Sequence, residues 1–147
     1  MKERFKTFTV LIAKISRNIK KIKNQEMAEY GLRSVHVTCL YYLYSEESLT
    51  ATELCELCEE DKATISRALD HLEKNGFIVC RTPLQKRYKS PVTLTEKGEA
   101  VGRQISDKID AVLAHLSPGL TEEERNTFYR NLTTISESLE KCVKDAL

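Results

Sequence analysis

Apolar residues recur every three or four positions at both ends of this chain. Phe5, Phe8, Ile12, Ile15, Ile19 and Ile22 trace a seam along a helix predicted from Arg4 to about Tyr30, which Gly31 breaks. Ser34 is the expected cap of a second helix running to about Ser45, with Val35, Cys39, Leu40 and Leu43 facing inward. The tripeptide "SLT" at 48–50 is a candidate short strand. Thr50 and Glu53 form a capping box that opens a third helix, 51–58. Asp61 caps a fourth, 62–74, stopped by Asn75-Gly76. "FIVCR" at 77–81 and "PVTL" at 91–94 read as two strands of a hairpin. Thr95 caps a fifth helix reaching about Leu116, with Val101, Ile105, Ile109, Val112 and Leu116 on one face. After "SPG" at 117–119, the box Thr121/Glu124 opens a sixth, with Phe128, Leu132, Ile135, Leu139, Cys142 and Ala146 in a near-heptad seam.

Helix, tight turn, helix, hairpin is the order of a winged helix-turn-helix. Leu54, Cys55, Cys58, Ile65, Ala68, Leu69 and Leu72 are its expected interior, with small Cys55 where two helix backbones approach. The opposite face of the fourth helix carries Ala63, Arg67, Asp70 and Lys74, flanked by Thr64, Ser66 and His71. Such a face is either a solvated surface or a surface for the DNA major groove. Arg67 is the bidentate donor suited to guanine, and Thr64 and Ser66 are in reach of bases or phosphates.

Charge tips the choice. The net charge is only +1, but it is unevenly spread. Residues 1–25 hold eight Lys/Arg and one acid, residues 45–61 hold seven acids and no base, and "RTPLQKRYKSP" at 81–91 holds four bases and no acid. Pro83 and Pro91 exclude a helix there. A basic hairpin tip beside the fourth helix can follow the phosphate backbone or enter the minor groove, with Arg81, Lys86, Arg87 and Lys89 as cations and Gln85 and Tyr88 as hydrogen-bonding groups.

"LTATELCELCEEDKATISRALDHLEKNGFI", the basic hairpin and "VTLTEKG" together resemble the multiple antibiotic resistance regulator (MarR) family of bacterial transcription factors. The resemblance covers essentially the whole chain. It implies a mainly α, winged helix-turn-helix fold with long N- and C-terminal dimerisation helices and a two- to three-stranded wing. It implies a homodimer that binds a pseudo-palindromic operator as a repressor and is released by a small, often phenolic, effector. Carried across by position, Lys62, Thr64, Ser66 and Arg67 face the major groove, and Arg81, Lys86, Arg87 and Tyr88 belong to the wing. Three places depart from the family pattern: Glu59-Glu60 replaces a glycine and an apolar residue in the turn, Lys86 and Tyr88 replace the wing's Asp-x-Arg, and Cys55 replaces an alanine.

The expected division is residues 34–97 for DNA binding and residues 1–33 with 98–147 for dimerisation. The full set of expected DNA-contacting residues is Lys62, Ala63, Thr64, Ser66, Arg67, Asp70, Lys74, Arg81, Gln85, Lys86, Arg87, Tyr88 and Lys89. Phe5, Phe8, Ile12 and Ile15, with Phe128, Leu132, Ile135 and Leu139, are the expected dimer seam, against the alternative that the terminal helices pack within one chain. His36, Cys39 and Tyr42 are candidates for lining an effector site; packing is the other use of the tyrosines.

Cys55-x-x-Cys58 with His71 has part of a zinc-finger spacing but lacks the fourth ligand, so no metal is expected. Thiol sensing by Cys39 or Cys80 stays open. No phosphate loop, metalloprotease motif or nucleophile–base pairing is present, so neither catalytic residues nor a cofactor is expected. The alternatives are a winged-helix module for protein partners and an enzyme. No apolar run approaches the roughly 20 residues of a membrane span, and five cysteines without framework spacing suit reduced thiols in the cytoplasm.

Overall fold

The computed structural model describes residues 2–80, 89–116 and 118–146. Among them are six α-helices and three short strands: α1 (Lys2–Glu26), α2 (Ser34–Glu46), β1 (Ser48–Leu49), α3 (Ala51–Cys58), α4 (Lys62–Lys74), β2 (Ile78–Cys80), β3 (Val92–Leu94), α5 (Glu96–His115) and α6 (Glu122–Asp145). The chain forms two compact units, residues 1–107 and residues 108–147, with the boundary inside α5.

The core of the first unit gathers Leu40 and Leu43 from α2, Leu54 from α3, Ile65, Leu69 and Leu72 from α4, Phe77, Ile78 and Val92 around the sheet, and Ile105 from α5. The strands pair antiparallel in the order β1-β3-β2, with Ser48 opposite Thr93 and Cys80 opposite Val92. In β2, Ile78 is buried and Val79 exposed, the alternation of a half-buried strand. The pairing of β2 with β3 confirms the hairpin strands that bracket residues 81–91.

Two expectations near the N-terminus need correction. The first helix stops at Glu26, and Ala28–Tyr30 is a 3-10 turn closed by Gly31 at φ 68°. The turn tucks Met27 and Leu32 into the core, and the Leu32 amide bonds to the Met27 carbonyl. Burying these two apolar residues needs a tighter path than a continued α-helix provides. The cap of α2 is Arg33, not Ser34. The Ser34 amide is satisfied from α1, by Asn24 Oδ1 at 2.6 Å, and the Arg33 amide donates to His36 Nδ1 at 2.9 Å. Consequently His36 and Val37 are the buried residues of the first turn, and Val35 is half-buried.

The second unit holds the end of α5 and all of α6. Thr121 accepts from the Glu124 amide at 3.2 Å, and Glu124 accepts from the Thr121 amide at 2.7 Å, so the expected capping box is formed. Along α6 the residues of the apolar seam, Phe128, Leu132, Ile135 and Leu139, are all exposed.

Candidate nucleic-acid interface

The turn between α3 and α4 sets the direction of the exposed helix. Thr50 Oγ1 accepts from the Glu53 amide and Glu53 Oε2 from the Thr50 amide, which fixes the start of α3. At its end Glu59 takes φ 55°, ψ 43°, the left-handed conformation that the missing glycine would adopt without strain. The chain then straightens, and Asp61 Oδ1 accepts from the Thr64 amide at 2.7 Å. That hydrogen bond holds the Asp61 carboxyl below the usual carboxylate range.

The far end of α4 is tied with equal care. The Asn75 amide bonds to the His71 carbonyl, Gly76 turns at φ 78°, and Lys97 Nζ donates to the Asn75 carbonyl at 2.8 Å while lying 4.3 Å from the centre of the Phe77 ring. A cation at a helix C-terminus complements the local carbonyl dipoles.

Between these ends, Ile65, Ala68, Leu69 and Leu72 are buried, and Lys62, Ala63, Arg67, Asp70 and Lys74 are exposed. Thr64 and Ser66 are half-buried at the flanks. Arg67 Nη2 reaches Thr64 Oγ1 at 3.4 Å, so the guanidinium lies along the outer face toward the helix N-terminus. The helix therefore offers solvent the side-chain set expected of it. Lys89, between β2 and β3, is exposed, whereas Arg81, Gln85, Lys86, Arg87 and Tyr88 lie outside the described residues.

The residues proposed for an effector lie in different settings. His36 stacks on His71 with ring centres 4.3 Å apart and planes 14° from parallel, joining α2 to α4. Cys39 is fully buried, with its sulfur 3.9 Å from that of Cys58. Tyr42 is half-buried, edge-on to Tyr41. A cleft of about 930 Å³ opens elsewhere, with Lys20 and Asn24 of α1, Arg33 and Ser34 at the start of α2, and Glu60 and Thr64 near the start of α4 in its wall.

Sequence periodicity missed both cross-element pairs, because helical spacing orders residues within an element and says nothing of which neighbours meet across a gap. Cys55 and Cys58 are also only partly buried, contrary to a fully internal position; both lie toward the C-terminal end of α3, where cover thins.

Residues 30–87 match the model of the MarR family. A MarR family regulator from Neisseria meningitidis superposes with a TM-score of 0.83 at 21% identity, covering 98% of this chain and 99% of that one. A putative MarR family regulator from Listeria monocytogenes, solved in complex with a 26mer DNA, is 27% identical with a TM-score of 0.77 over 87% of this chain and 85% of its own. The transcriptional repressor YetL of Bacillus subtilis is 29% identical over 85% of this chain and 76% of its length. With the exposed polar face of α4 held between two capped ends and a hairpin behind it, the chain belongs to the MarR family of winged helix-turn-helix, DNA-binding transcriptional regulators.

Proposed function

We propose that this regulator is a homodimeric, effector-responsive repressor that acts in the cytoplasm on a pseudo-palindromic operator. Residues 34–97 are the reader; residues 1–33 and 98–147 join the two subunits. The observation that carries the reading is the outer face of α4, where Arg67 stands exposed on the side opposite Ile65, Leu69 and Leu72. A cylinder of this girth enters the major groove, and one arginine there reads a guanine through O6 and N7. Lys62, Ala63, Thr64, Ser66, Asp70 and Lys74 complete the helix surface toward DNA, with Lys89 and the wing residues Arg81, Gln85, Lys86, Arg87 and Tyr88 on the backbone.

Repression finds support in the name of the repressor YetL, to which the chain is similar. An effector of anionic, aromatic character suits the cleft, whose wall carries Lys20 and Arg33 together with the apolar Leu32 and Val35. His36, Cys39 and Tyr42 remain the other candidates to line an effector site, with the half-buried Tyr42 more open than the buried His36 and Cys39. Among the described residues no helix is long and apolar enough to cross a membrane.

The test is fragment selection from the host genome, followed by retardation of the selected duplex. Arg67→Ala lowers affinity for the selected site by roughly 1–3 kcal/mol while leaving non-specific binding nearly intact. Unchanged affinity for that site would remove α4 from the base-reading role. Wild-type binding falls steeply with salt, by orders of magnitude between low and moderate ionic strength if six or more phosphates are contacted.

A further inference from the structure

The sulfur atoms of Cys39, in the middle of α2, and Cys58, the last residue of α3, meet at 3.9 Å. They are unbonded thiols. One is sealed in the core and the other partly open to solvent. This is the arrangement of an attacking thiol and a resolving thiol, with access on one side only. We propose that Cys58 and Cys39 form an oxidation site for hydroperoxides, in which a disulfide between α2 and α3 displaces the turn that leads into α4.

The surroundings favour Cys58 as the attacking sulfur. The hydrogen bond between the two sulfurs holds the Cys58 thiol below the usual range, and the positive charge of Lys23 acts in the same direction. Lys23 is fixed in place on α1 by its hydrogen bond to Thr38 Oγ1 at 3.0 Å, one residue from Cys39. Cys39 is pushed the other way, by the same hydrogen bond and by burial. A lowered, accessible thiol beside a resolving one is the chemical requirement of a peroxide-reactive cysteine.

The reaction balances as follows. The Cys58 thiolate attacks the distal oxygen of a hydroperoxide; the S–O bond forms, the O–O bond breaks, and the alkoxide leaves and takes up the proton that Cys58 had released. The Cys39 sulfur then attacks the sulfenic acid; the S–S bond forms, the S–O bond breaks, and the Cys39 proton departs with hydroxide as water. Two electrons pass from the thiol pair to the peroxide, giving one alcohol and one water.

Bond formation requires the sulfurs to close by about 2 Å from their present contact. Cys39 sits within a fully packed helix, whereas Cys58 precedes the left-handed Glu59, the Glu60 amide bonded to the Cys55 carbonyl, and the cap Asp61. The movement therefore falls on the α3–α4 turn. This consequence rests on α4 being the reading helix.

The decisive experiment treats the reduced full-length protein with tert-butyl hydroperoxide and maps its peptides. The variant carrying Cys55→Ser, Cys80→Ser and Cys142→Ser is treated alongside. In both, the expected product is a single intrachain Cys39–Cys58 bond, with both free thiols of the triple variant consumed. Cys39→Ala leaves Cys58 trapped by dimedone as the sulfenic acid without a disulfide; Cys58→Ser is left unmodified at Cys39. A Cys55–Cys58 bond, an interchain bond, or modification at Cys80 or Cys142 with the pair still reduced overturns the site. On a selected duplex, oxidation weakens binding roughly 5- to 150-fold and dithiothreitol restores it; a mapped bond with unchanged affinity overturns the switching. Reduced protein that retards no duplex counts against the helix assignment and leaves the peptide map to decide the thiol pair.

Discussion

At His36 one imidazole serves two elements. Its Nδ1 accepts the Arg33 amide and so caps α2, while its ring lies flat on His71 of α4, whose Nε2 donates to the Gly31 carbonyl at 3.1 Å. Protonating Nδ1 would set two donors against each other and place charge in a nearly buried site. Burial, then the neighbouring His71, then Arg33 lower the His36 pKa from 6.5 to about 4. The sign of the linkage follows: between these values the unfolded chain binds the proton and the folded chain does not. The stabilisation is therefore whole above about pH 6.5 and is lost as the pH falls toward 4. For this one group the loss between pH 7 and pH 5 is roughly 2 kcal/mol. His36→Gln keeps an acceptor at the same place in the capping turn and cannot titrate. The unfolding free energy of the variant, from urea titration, should fall less than that of wild type over that interval, by about the same amount; parallel curves would mean that His36 protonates freely in the fold.

Among the elements, α5 shows why a short motif can carry so much information. In "LTEKG", Thr95 accepts from the Gly98 amide at 3.1 Å and donates to the Gly76 carbonyl, and its own amide bonds to Phe77 O at 3.0 Å. Gly98 lies so close that a Cβ there would run into the carbonyl oxygen of Phe77, a backbone atom that cannot swing aside. Gly98→Ala should thus destabilise by roughly 1–3 kcal/mol, although alanine is the better helix former. Gly119→Ala, where nothing lies within 4 Å, is the matched control. Equal chemical stability of the two variants would refute the close approach of α5 to the sheet. Much of this architecture was legible beforehand: α3 and α4 match their expected limits, because Thr50, Glu53, Asp61 and Gly76 mark them with local hydrogen-bonding and backbone chemistry. The left-handed Glu59 was readable as well, since a turn of fixed shape must hold whatever residue occupies it. The start of α2 was not, because the Ser34 amide is satisfied by Asn24 of α1, across a gap that no local pattern reports. The same holds for the Cys39–Cys58 contact and for the His36–His71 stack, each of which joins α2 to another helix.

For the whole molecule the telling feature is apolar surface that one chain leaves in water. On α1, Phe5 is 73% exposed and Ile15 51%; on α6, Phe128 is 50% and Leu139 53% exposed. Scattered apolar residues on a surface need no explanation, but these recur along two long helices at the spacing of a continuous seam. A stable two-fold interface typically buries more than about 2,000 Å², an area that terminal helices of 25 and 24 residues can supply together. The charges suit the same arrangement, with the basic α1 set against Glu122, Glu123 and Glu124 at the start of α6. On this reading Phe5, Phe8, Ile12 and Ile15 pack with Phe128, Leu132, Ile135 and Leu139 in the dimer, setting two α4 helices about 34 Å apart, one turn of DNA. The double variant Ile15→Glu/Leu132→Glu places four carboxylates per dimer in that seam while sparing every residue of the buried core. It should sediment near the single-chain mass of 16.8 kDa, where wild type sediments near twice that value. Its helical circular dichroism should persist, because the reader folds on its own core. Its affinity for a two-half-site operator should drop at least about 100-fold, the advantage of linking two weak contacts into one. A single half-site should distinguish the two proteins far less. Wild type that remains monomeric at micromolar concentration would end the dimer reading, and a double variant that still dimerises would place the subunit contact somewhere other than these seams.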